Sequence, residues 1–389
     1  MAGVAVLGVT AGCASAGDQG SAGADGPAPA PAGSPAGSAA PYQVLAGMPE
    51  YPSYANVYAA AGPDELSKAV EGHRELVYVP HNESDDVYVI DQKTFEVVDR
   101  FPGGPEPQHV VPSYDLSTLY VAASRVPTGG LVPIDPATGE PGEPIDVQDV
   151  YNLYFTPDGA HGIVVAEAYR RLDFYDAQTW EPVTSVELPE CDGINHMDYS
   201  ADGRTMLFSC EFANRLVVLD SETHEKVGQH DLDVVDDGMP QDVRLTPDGE
   251  RFLVADMRAG GVYVLNADAT ERLDFIPTGE GAHGIYFSRA GDLAYISNRD
   301  EGSVTVLDLA TLRPVDNWRI PGGGSPDMGG LNADGSVLWL SGRDHDEVYA
   351  ISTADGELLA RIPVGSRPHG LAVWPQPGRY SLGHTGNIR

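Results

Sequence analysis

The sequence predicts an all-β protein, a seven-bladed β-propeller with four antiparallel strands in each blade. Three observations support this fold: two turn motifs recur along the chain, short strand-like segments lie between them, and one such segment near the C-terminus has no hairpin partner. The repeat length of 41 to 46 residues is typical of a propeller blade. With 389 residues, the chain is long enough for one large all-β domain.

The first motif is a tight turn in which aspartate usually precedes glycine. Glycine adopts a positive φ without steric cost and aspartate hydrogen-bonds its own backbone, so the pair favours a hairpin between two strands. Four clear copies and two looser ones occur at 156–159, 200–203, 246–249 and 332–335, and at 113–117 and 288–292. These turns predict six hairpins on the inner side of the blades.

The second motif, Asp-x-x-Thr, also lies between strand-like segments rich in β-branched and aromatic residues. Its seven copies, two of them variants, begin at Asp91, Asp135, Asp176, Asp220, Asn266, Asp308 and Ser352. Seven outer turns and six inner turns mean that one blade receives its inner strand from elsewhere in the chain. We predict that the segment 369–374 joins the first blade, at 75–101, and closes the ring without an open strand edge.

The N-terminus predicts export and a lipid anchor. The residues before Cys13 form a short apolar run, and the four residues that end at Cys13 resemble a bacterial lipobox, in which the cysteine is lipidated. Residues 14–45 are rich in Ala, Gly, Ser and Pro, which is typical of a disordered tether. We therefore expect a signal and lipobox segment at 1–13 and a propeller at 46–389, with a tail at 375–389. The lipid alone would anchor the protein to the outer face of the cytoplasmic membrane.

The charge of the chain limits its partners. Asp and Glu number 58 against 23 Lys and Arg, which gives a formal net charge of −35. Such a charge repels nucleic acids, so no nucleic-acid partner is expected. Two cysteines remain after the lipobox, Cys191 and Cys210. In an exported protein they either form a disulfide or leave Cys210 as a thiolate ligand near His196.

Polar residues recur where the predicted inner strands begin. These strands line the central channel of a propeller, so residues at their starts should lie together at one mouth. The set contains His109, Asn152, His196, Asp242, His283, Asp327 and His369. One interpretation is a structural girdle in which carboxylates accept hydrogen bonds from neighbouring imidazoles. The other interpretation is a metal or ligand site.

In the second interpretation, imidazoles bind a divalent transition metal such as Zn or Cu and the other polar residues orient them. The metal ligands would come from His109, His196, His283 and His369, with Asn152, Asp242 and Asp327 as ligand-binding neighbours. One ion needs ligands at about 2 Å, so the whole ring cannot bind it at once. We expect His109 and His369, which meet where the ring closes, to bind it with one further residue.

The second loop of each blade should open on the same face and add a tier of polar side chains. This tier comprises Arg125, Glu167, Glu211, Arg299 and Arg343, together with His81, Asn82 and Asp256. A mixture of arginines, acids and histidines suits a small polar or anionic ligand. His384 lies in the tail, which we expect to cover the opposite mouth, so His384 is not assigned to this site.

Several segments resemble a known group of propellers. Residues 78–82, 120–123 and 295–298 look like degenerate Tyr-Val-Thr-Asn repeats. Residues 50–389 resemble the YVTN or YncE-like seven-bladed propellers, and the closing segment 374–387 looks like a signature of exported actinobacterial lipoproteins. The resemblance to lactonase and haem-d1 propellers is more distant. The chain departs from the haem-d1 propellers, which have eight blades, and it has no Cys-x-x-Cys-His motif for a c-type haem.

Two classes of function follow from these features. The first is a membrane-anchored, extracytoplasmic propeller that binds a small molecule or a metal ion at the channel mouth, with an extracytoplasmic protein as a further partner. The alternative is a metal-dependent enzyme of the lactonase, lyase or oxidase type, or a carrier of a tetrapyrrole similar to d1-haem, that uses the same histidines. The sequence shows no Gly-rich phosphate loop and no nucleophile elbow, and it identifies no catalytic residue or cofactor. Binding is therefore favoured.

Overall fold

The computed structural model describes residues 42–384 and 387–389. The predicted signal segment 1–13 with its lipidated Cys13, and the predicted tether up to residue 41, lie outside the described residues. In the described part, 27 strands form seven antiparallel sheets, and the 3-10 turn η1 at Glu211–Ala213 is the only helical element. This part of the chain contains no helix with the length and apolarity needed to cross a membrane.

Each sheet is one blade, and six of the seven described sheets have four strands. The first blade contains β1 (Leu76–His81), β2 (Asp86–Asp91) and β3 (Val97–Pro102), and the second contains β4 (Pro107–Pro112), β5 (Leu119–Ala123) and β6 (Gly130–Ile134). The third contains β7 (Asn152–Phe155), β8 (His161–Ala166), β9 (Arg171–Asp176) and β10 (Pro182–Glu187). The fourth contains β11 (Ile194–Tyr199), β12 (Thr205–Cys210), β13 (Arg215–Asp220) and β14 (Lys226–Asp231).

The remaining three blades follow the same pattern. The fifth contains β15 (Pro240–Leu245), β16 (Arg251–Asp256), β17 (Gly261–Asn266) and β18 (Arg272–Pro277). The sixth contains β19 (Ala282–Phe287), β20 (Leu293–Asn298), β21 (Ser303–Asp308) and β22 (Arg313–Arg319). The seventh contains β23 (Pro326–Leu331), β24 (Val337–Gly342), β25 (Glu347–Ser352) and β26 (Leu358–Pro363), and β27 (Ala372–Trp374) follows it in the chain.

The ring closes as the sequence predicts, through a C-terminal strand in the first blade. β27 pairs antiparallel with β1, so that Leu76 lies opposite Trp374 and Tyr78 lies opposite Ala372. The regular strand is shorter than the predicted 369–374, because Gly370 makes only an isolated bridge, to His109 of the second blade. Apolar side chains from the first and seventh blades pack together at this seam and bury it.

The second blade is the exception to the four-stranded pattern. Its outer position is occupied by an irregular segment that makes isolated bridges from Pro141 and Ile145 to β6. Prolines at 141 and 144 supply no backbone N–H, so this segment cannot form a continuous ladder. The backbone N–H groups of Leu131 and Ile145 nevertheless donate to each other's carbonyl oxygens, at 3.1 and 2.8 Å.

Both turn motifs form the predicted turns. In the first motif, Gly159 has a φ of 71° and the Thr156 hydroxyl donates to Asp158 at 2.6 Å. In the second motif, Asp176 accepts from the backbone N–H groups of Gln178 and Thr179 at 3.0 and 2.8 Å, and these hydrogen bonds lower its pKa. The turn aspartates are therefore satisfied locally and play a structural part.

Segments outside the blades cover one face of the propeller. Tyr42, Val44 and Leu45 pack partly buried against the core, and the Leu45 N–H donates to the Asp202 carbonyl at 2.8 Å. The folded part thus includes residues before the expected boundary at position 46. Their apolar side chains account for this, because they gain free energy when they are buried.

The C-terminal tail does not merely cover the opposite mouth, as expected, but enters the channel beside the third blade. Phe155 N–H donates to the Leu382 carbonyl at 3.0 Å, and His384 N–H donates to the Leu153 carbonyl at 2.9 Å. Gly383 has a φ of 98°, and a Cβ at this position would lie 2.4 Å from the Tyr154 backbone. Only glycine allows the tail to approach the inner strand so closely.

Candidate functional site

The inner strands bring the seven predicted ring residues together inside the channel, where each is at most 2 % exposed. Their positions within the strands differ. Asn152 is the first residue of its strand, and His369 precedes β27. The second residue of a strand is His283 or Asp327, and the third is His109, His196 or Asp242. Five of the inner strands shift register at this level. Such β-bulges redirect side chains and are frequent beside functional sites.

Five histidines lie in a continuous cluster within this ring. The ring centroid of His109 lies 4.7 Å from that of His369, 5.4 Å from that of His196 and 5.3 Å from that of His384. The His283 ring lies 6.0 Å from the His369 ring. The expected convergence of histidines is therefore present, and it includes one histidine that the sequence did not assign to the site.

The first group of candidate ligands contains His196, Asp242 and His384, whose ligand atoms lie within 4.8 Å of one another. The Asn152 amide contacts Nδ1 of His196 at 3.1 Å and Nδ1 of His384 at 3.2 Å, and so orients both rings. His384 Nε2 lies 3.4 Å from Asp242 Oδ1. Asp242 Oδ2 accepts from the Ile285 N–H at 2.9 Å, which fixes the carboxylate against the neighbouring blade.

His109 adjoins this group without belonging to either set of three. Neither of its ring nitrogens has a hydrogen-bond partner among the described residues, and the same is true of His196 Nε2. A Cβ at Gly370 would lie 1.9 Å from His109 Nδ1, so a glycine is needed there for the imidazole to keep its place. His109 and His369, which we expected to share one ion, lie with their ring centroids 4.7 Å apart, but only His369 belongs to a group of three.

The second group contains His283, Asp327 and His369, again with ligand atoms within 4.8 Å of one another. Asp327 lies 3.3 Å from His283 Nδ1 and 3.6 Å from His369 Nε2. It also accepts from Arg299 Nε at 3.0 Å, and Arg343 Nη1 lies 3.9 Å from its second oxygen. Two cations therefore contact the carboxylate of this group.

Burial sets the protonation of the cluster. It lowers the pKa of His109, His196, His283 and His369 well below the usual value, and neighbouring cationic groups lower it further. These four imidazoles are therefore neutral near pH 7, as a metal ligand must be. Burial also raises the pKa of Asp327, against the charges of Arg299 and Arg343.

Asp242 differs from Asp327 in its titration. Burial would raise its pKa, but the hydrogen bond and charge of His384, with the nearby charge of Arg244, bring the pKa below the usual value. Asp242 is therefore ionised at neutral pH. The ionised Asp242 carboxylate and the neutral imidazole of His196 therefore lie in one group with His384.

Four residues of the expected second tier lie above the cluster, around Tyr151, whose ring lies 5.5 Å from the His109 ring. Arg299 and Arg343 are 14 % exposed. Burial raises the pKa of Glu167 to about 8, with a further contribution from Glu211. Burial raises the pKa of Glu211 as well, against hydrogen bonds from Gln241 and Asn195. The mouth thus combines two arginines with two glutamates, and burial disfavours the ionised form of both glutamates.

The other members of the expected tier lie elsewhere. Arg125 is largely exposed and pairs with Asp85 and Glu106 at 3.3 and 3.6 Å. Asp256 accepts three backbone N–H groups of its own loops, and His81 is bonded to Asp86 and to the Gly365 N–H. Asn82 is held through its backbone at the ring closure. Hydrogen bonds within their own loops and ion pairs at the surface hold these residues away from the channel mouth.

Cys191 and Cys210 form a disulfide with Cα atoms 4.9 Å apart. The bridge excludes Cys210 as a thiolate ligand, so the alternative left open by the sequence does not apply. It instead ties β12 to the loop before β11, and thereby supports the strand that positions His196.

The comparisons with known proteins agree with this architecture. The family described as the YNCE-like beta-propeller matches residues 67–377 of the chain. The chain belongs to the YncE-like β-propeller family. The match spans the first to the last blade, and the propeller has seven blades, as the sequence resemblance implied.

Several solved structures share the fold of this YncE-like propeller. A protein of unknown function from Desulfotomaculum acetoxidans has a TM-score of 0.64 at 17 % identity, over 77 % of this chain and 98 % of that one. Dihydro-heme d1 dehydrogenase NirN has a TM-score of 0.57 at 17 % identity, over 83 % and 82 %. A putative 6-phosphogluconolactonase from Bacteroides uniformis has 0.57 at 18 %, over 77 % and 99 %. At this identity these likenesses show the fold alone.

No curated protein matches the chain significantly. The site of this YncE-like propeller is therefore argued from its own residues.

Sequence reasoning missed two residues of the site. His384 was expected at the opposite mouth, but the tail carries it into the channel, where its ring lies 4.6 Å from the His196 ring. The available signal was the glycine before it, which marks a close backbone approach. Tyr151 was missed because an aromatic residue beside a strand is usually a core residue.

Proposed function

We propose that this YncE-like propeller binds a divalent transition-metal ion in its channel. The ligands would be His196, Asp242 and His384, with His109 completing the set. One observation carries the proposal: three imidazoles and one carboxylate meet in a fully buried place, and three of their ring nitrogens, two on His109 and one on His196, have no hydrogen-bond partner among the described residues. Buried polar atoms are normally satisfied, and a metal ion would satisfy these.

The structural girdle explains less of this geometry. A girdle should pair each imidazole with a carboxylate or an amide. His283 and His369 both lie beside Asp327, and only Nδ1 of His369 is left without a hydrogen-bond partner among the described residues. His109 contacts other rings but receives no hydrogen bond from a described residue. An imidazole buried in this way costs about 1 to 3 kcal/mol per unsatisfied group, a cost that metal binding would offset.

Charge favours the first group over the second as the metal site. Arg299 and Arg343 both contact Asp327, so a divalent cation placed there would be repelled by two guanidinium groups. Asp242 instead feels the charge of a single arginine, Arg244, which makes no ion pair with it among the described residues. Three imidazoles and a carboxylate form a ligand set that suits Zn or Cu.

The packing of the cluster bears on the alternative functions. A tetrapyrrole needs space for a planar macrocycle, and a lactone substrate needs an open pocket beside the metal. The imidazole centroids lie 4.6 to 5.4 Å apart, and every ring residue is buried. A single ion fits such a cluster better than either organic ligand, so we favour metal binding over the lactonase, lyase, oxidase and d1-haem alternatives.

The proposed setting is extracytoplasmic, with the propeller anchored to the membrane by lipid on Cys13. Two observations support this setting: the lipobox-like residues before Cys13, and the disulfide between Cys191 and Cys210, since disulfides persist in oxidising compartments. In a bacterial host, the wild-type protein should incorporate labelled palmitate and sediment with membranes. A Cys13→Ala variant should do neither, and equal labelling of both proteins would refute the anchor.

Metal titration of protein without a His-tag tests the metal site. After removal of metal by a chelator, Zn²⁺ and Cu²⁺ are titrated in competition with a chromophoric chelator. The wild type should bind one ion per chain. Asp242→Asn should weaken binding by at least about a hundredfold, because a ligand is lost. The matched control, Asp327→Asn, should change the affinity by less than about tenfold.

Two results would overturn the proposal. One is the absence of stoichiometric binding of either metal by the wild type. The other is a loss of affinity in Asp327→Asn as large as that in Asp242→Asn, which would move the ion to the second group.

A further inference from the structure

A second site candidate lies away from the histidine cluster, where the N-terminal segment and the C-terminal tail meet the fifth to seventh blades. A cavity of about 40 Å³ opens there, and it is lined by Tyr58, Arg244, Ser288, Arg289, Gly330 and Gln376, among others. About 10 to 15 Å³ of such volume holds one water molecule, so the cavity has room for a group larger than a single water.

Arg289 lines this cavity as a cation whose charge has no carboxylate partner within ion-pair distance among the described residues. Its Nη2 donates to the carbonyl oxygens of Leu331 and Asn332 at 3.1 and 2.9 Å, and to Gln376 Oε1 at 2.8 Å. All three acceptors are neutral. Arg289 Nε has no hydrogen-bond partner in the described part of the chain.

The environment of Arg289 confirms that its charge is poorly compensated. Burial lowers the pKa of Arg289 to about 10, and the acidic residues that oppose this, Asp334 and Asp64, act only from a distance. A buried cation without a counter-ion is costly unless another anion neutralises it.

The side chain is held in place rather than free to turn toward solvent. Gln376 accepts from Arg289 and donates its own amide hydrogens to the carbonyl oxygens of Leu331 and Val373, both at 2.7 Å. The guanidinium is thus oriented by the tail and by the seventh blade. A second guanidinium, that of Arg244, lines the same cavity and lies over the Phe287 ring at 5.6 Å. Asp242 and Asp198 act on the charge of Arg244, so Arg289 is the cation of the cavity that lacks a nearby carboxylate.

We infer that this cavity binds a small oxyanion, a carboxylate or a phosphate group, through the guanidinium of Arg289. Guanidinium N–H groups form short charge-assisted hydrogen bonds with oxyanions, and the free Nε is such a donor. The inference does not depend on a metal in the channel.

Thermal unfolding of the metal-free full-length protein tests the site. Sodium phosphate and sodium acetate are compared with sodium chloride at constant ionic strength, for the wild type, Arg289→Gln and Arg361→Gln. Arg361 is the matched control, since it also donates to two backbone carbonyl oxygens but lies at the surface. Phosphate or acetate should raise the Tm of the wild type and of Arg361→Gln by about 2 °C or more, with saturation. Arg289→Gln should show no such rise.

A cavity-filling variant keeps the test valid if Arg289→Gln does not fold. A Cβ at Gly330 meets only Val373 Cγ2, at 3.8 Å, so Gly330→Val adds volume at the cavity wall while Arg289 is kept. It should lower the affinity for the anion at least about tenfold in titration calorimetry. A response to phosphate alone, to acetate alone or to both shows whether the cavity accepts a tetrahedral or a planar oxyanion. No saturable binding of either anion to the wild type, or an equal response in Arg289→Gln, overturns the inference.

Discussion

The two His–Asp–His groups of the channel have the same composition but different surroundings. Asp242 contacts the His384 imidazole and one backbone N–H, whereas Asp327 contacts two guanidinium groups and two imidazoles. Two guanidinium groups therefore neutralise Asp327, whereas the ion-pair contact of Asp242 is with an imidazole of the tail. Residue type and spacing around a propeller ring therefore do not by themselves identify a metal site.

The groups also differ in where their histidines come from. Both histidines of the second group belong to the inner face of the blades, at the level of the ring. In the first group, His384 is carried in by the C-terminal tail, which pairs with β7. The Asn152 amide then bridges His196 and the tail histidine. The first group is thus assembled from two parts of the chain, and it exists only when the tail is seated.

The largest expected effect that separates the two groups is on stability without metal. Asp327→Asn should lower the free energy of unfolding by about 3 kcal/mol, because it leaves two largely buried arginines without their carboxylate. Asp242→Asn should cost only about 1 kcal/mol, since the asparagine can still accept from the Ile285 N–H. Denaturant unfolding in the presence of a chelator measures both values.

The two variants serve as controls for each other in this measurement. The order of their stabilities is the reverse of the order that we expect for their metal affinities. If Asp242→Asn is instead the less stable apoprotein, then Asp242 is held by stronger contacts than Asp327 and the assignment of the structural and the metal-binding group is wrong.

The propeller could be predicted from the sequence because each blade repeats the same local chemistry. Turn aspartates and glycines occur at matching places in several blades, and the mismatch between inner and outer turns predicted the strand exchange at the seam. The ring residues could be predicted for the same reason, since a repeat places equivalent positions at equivalent depths. Their burial and convergence follow from the fold.

The rest of the site depends on contacts that no repeat determines. The tail is not part of any blade, so nothing in the period of the sequence indicates that His384 would meet His196. Loop residues at equivalent positions diverge as well: Arg299 and Arg343 turn toward Asp327, while Arg125 turns toward Asp85 at the surface. These outcomes depend on neighbouring charges in three dimensions.

A smaller effect concerns His109, which lies between the two groups and belongs to neither. The pKa of His109 in the folded protein is well below the value of about 6.5 in the unfolded chain. Below about pH 6.5 the unfolded chain takes up a proton at His109 that the folded protein does not take up, so acid destabilises the fold. His109→Gln should reduce the slope of unfolding free energy against pH, between pH 6.5 and 5.5, by up to about 1.4 kcal/mol per pH unit.

The slope, and not the absolute stability, is the quantity to compare, because any substitution in a packed channel also changes packing. His109→Asn provides the second variant: it differs from His109→Gln in volume, yet it should give the same slope if titration is the cause. The measurement is made without metal, since a bound ion would itself compete with protons for the imidazoles. A slope unchanged from that of the wild type in both variants would mean that His109 takes up its proton within the fold. In that case the ring nitrogens of His109 have a hydrogen-bond partner, and the argument that they are available to bind a metal ion fails.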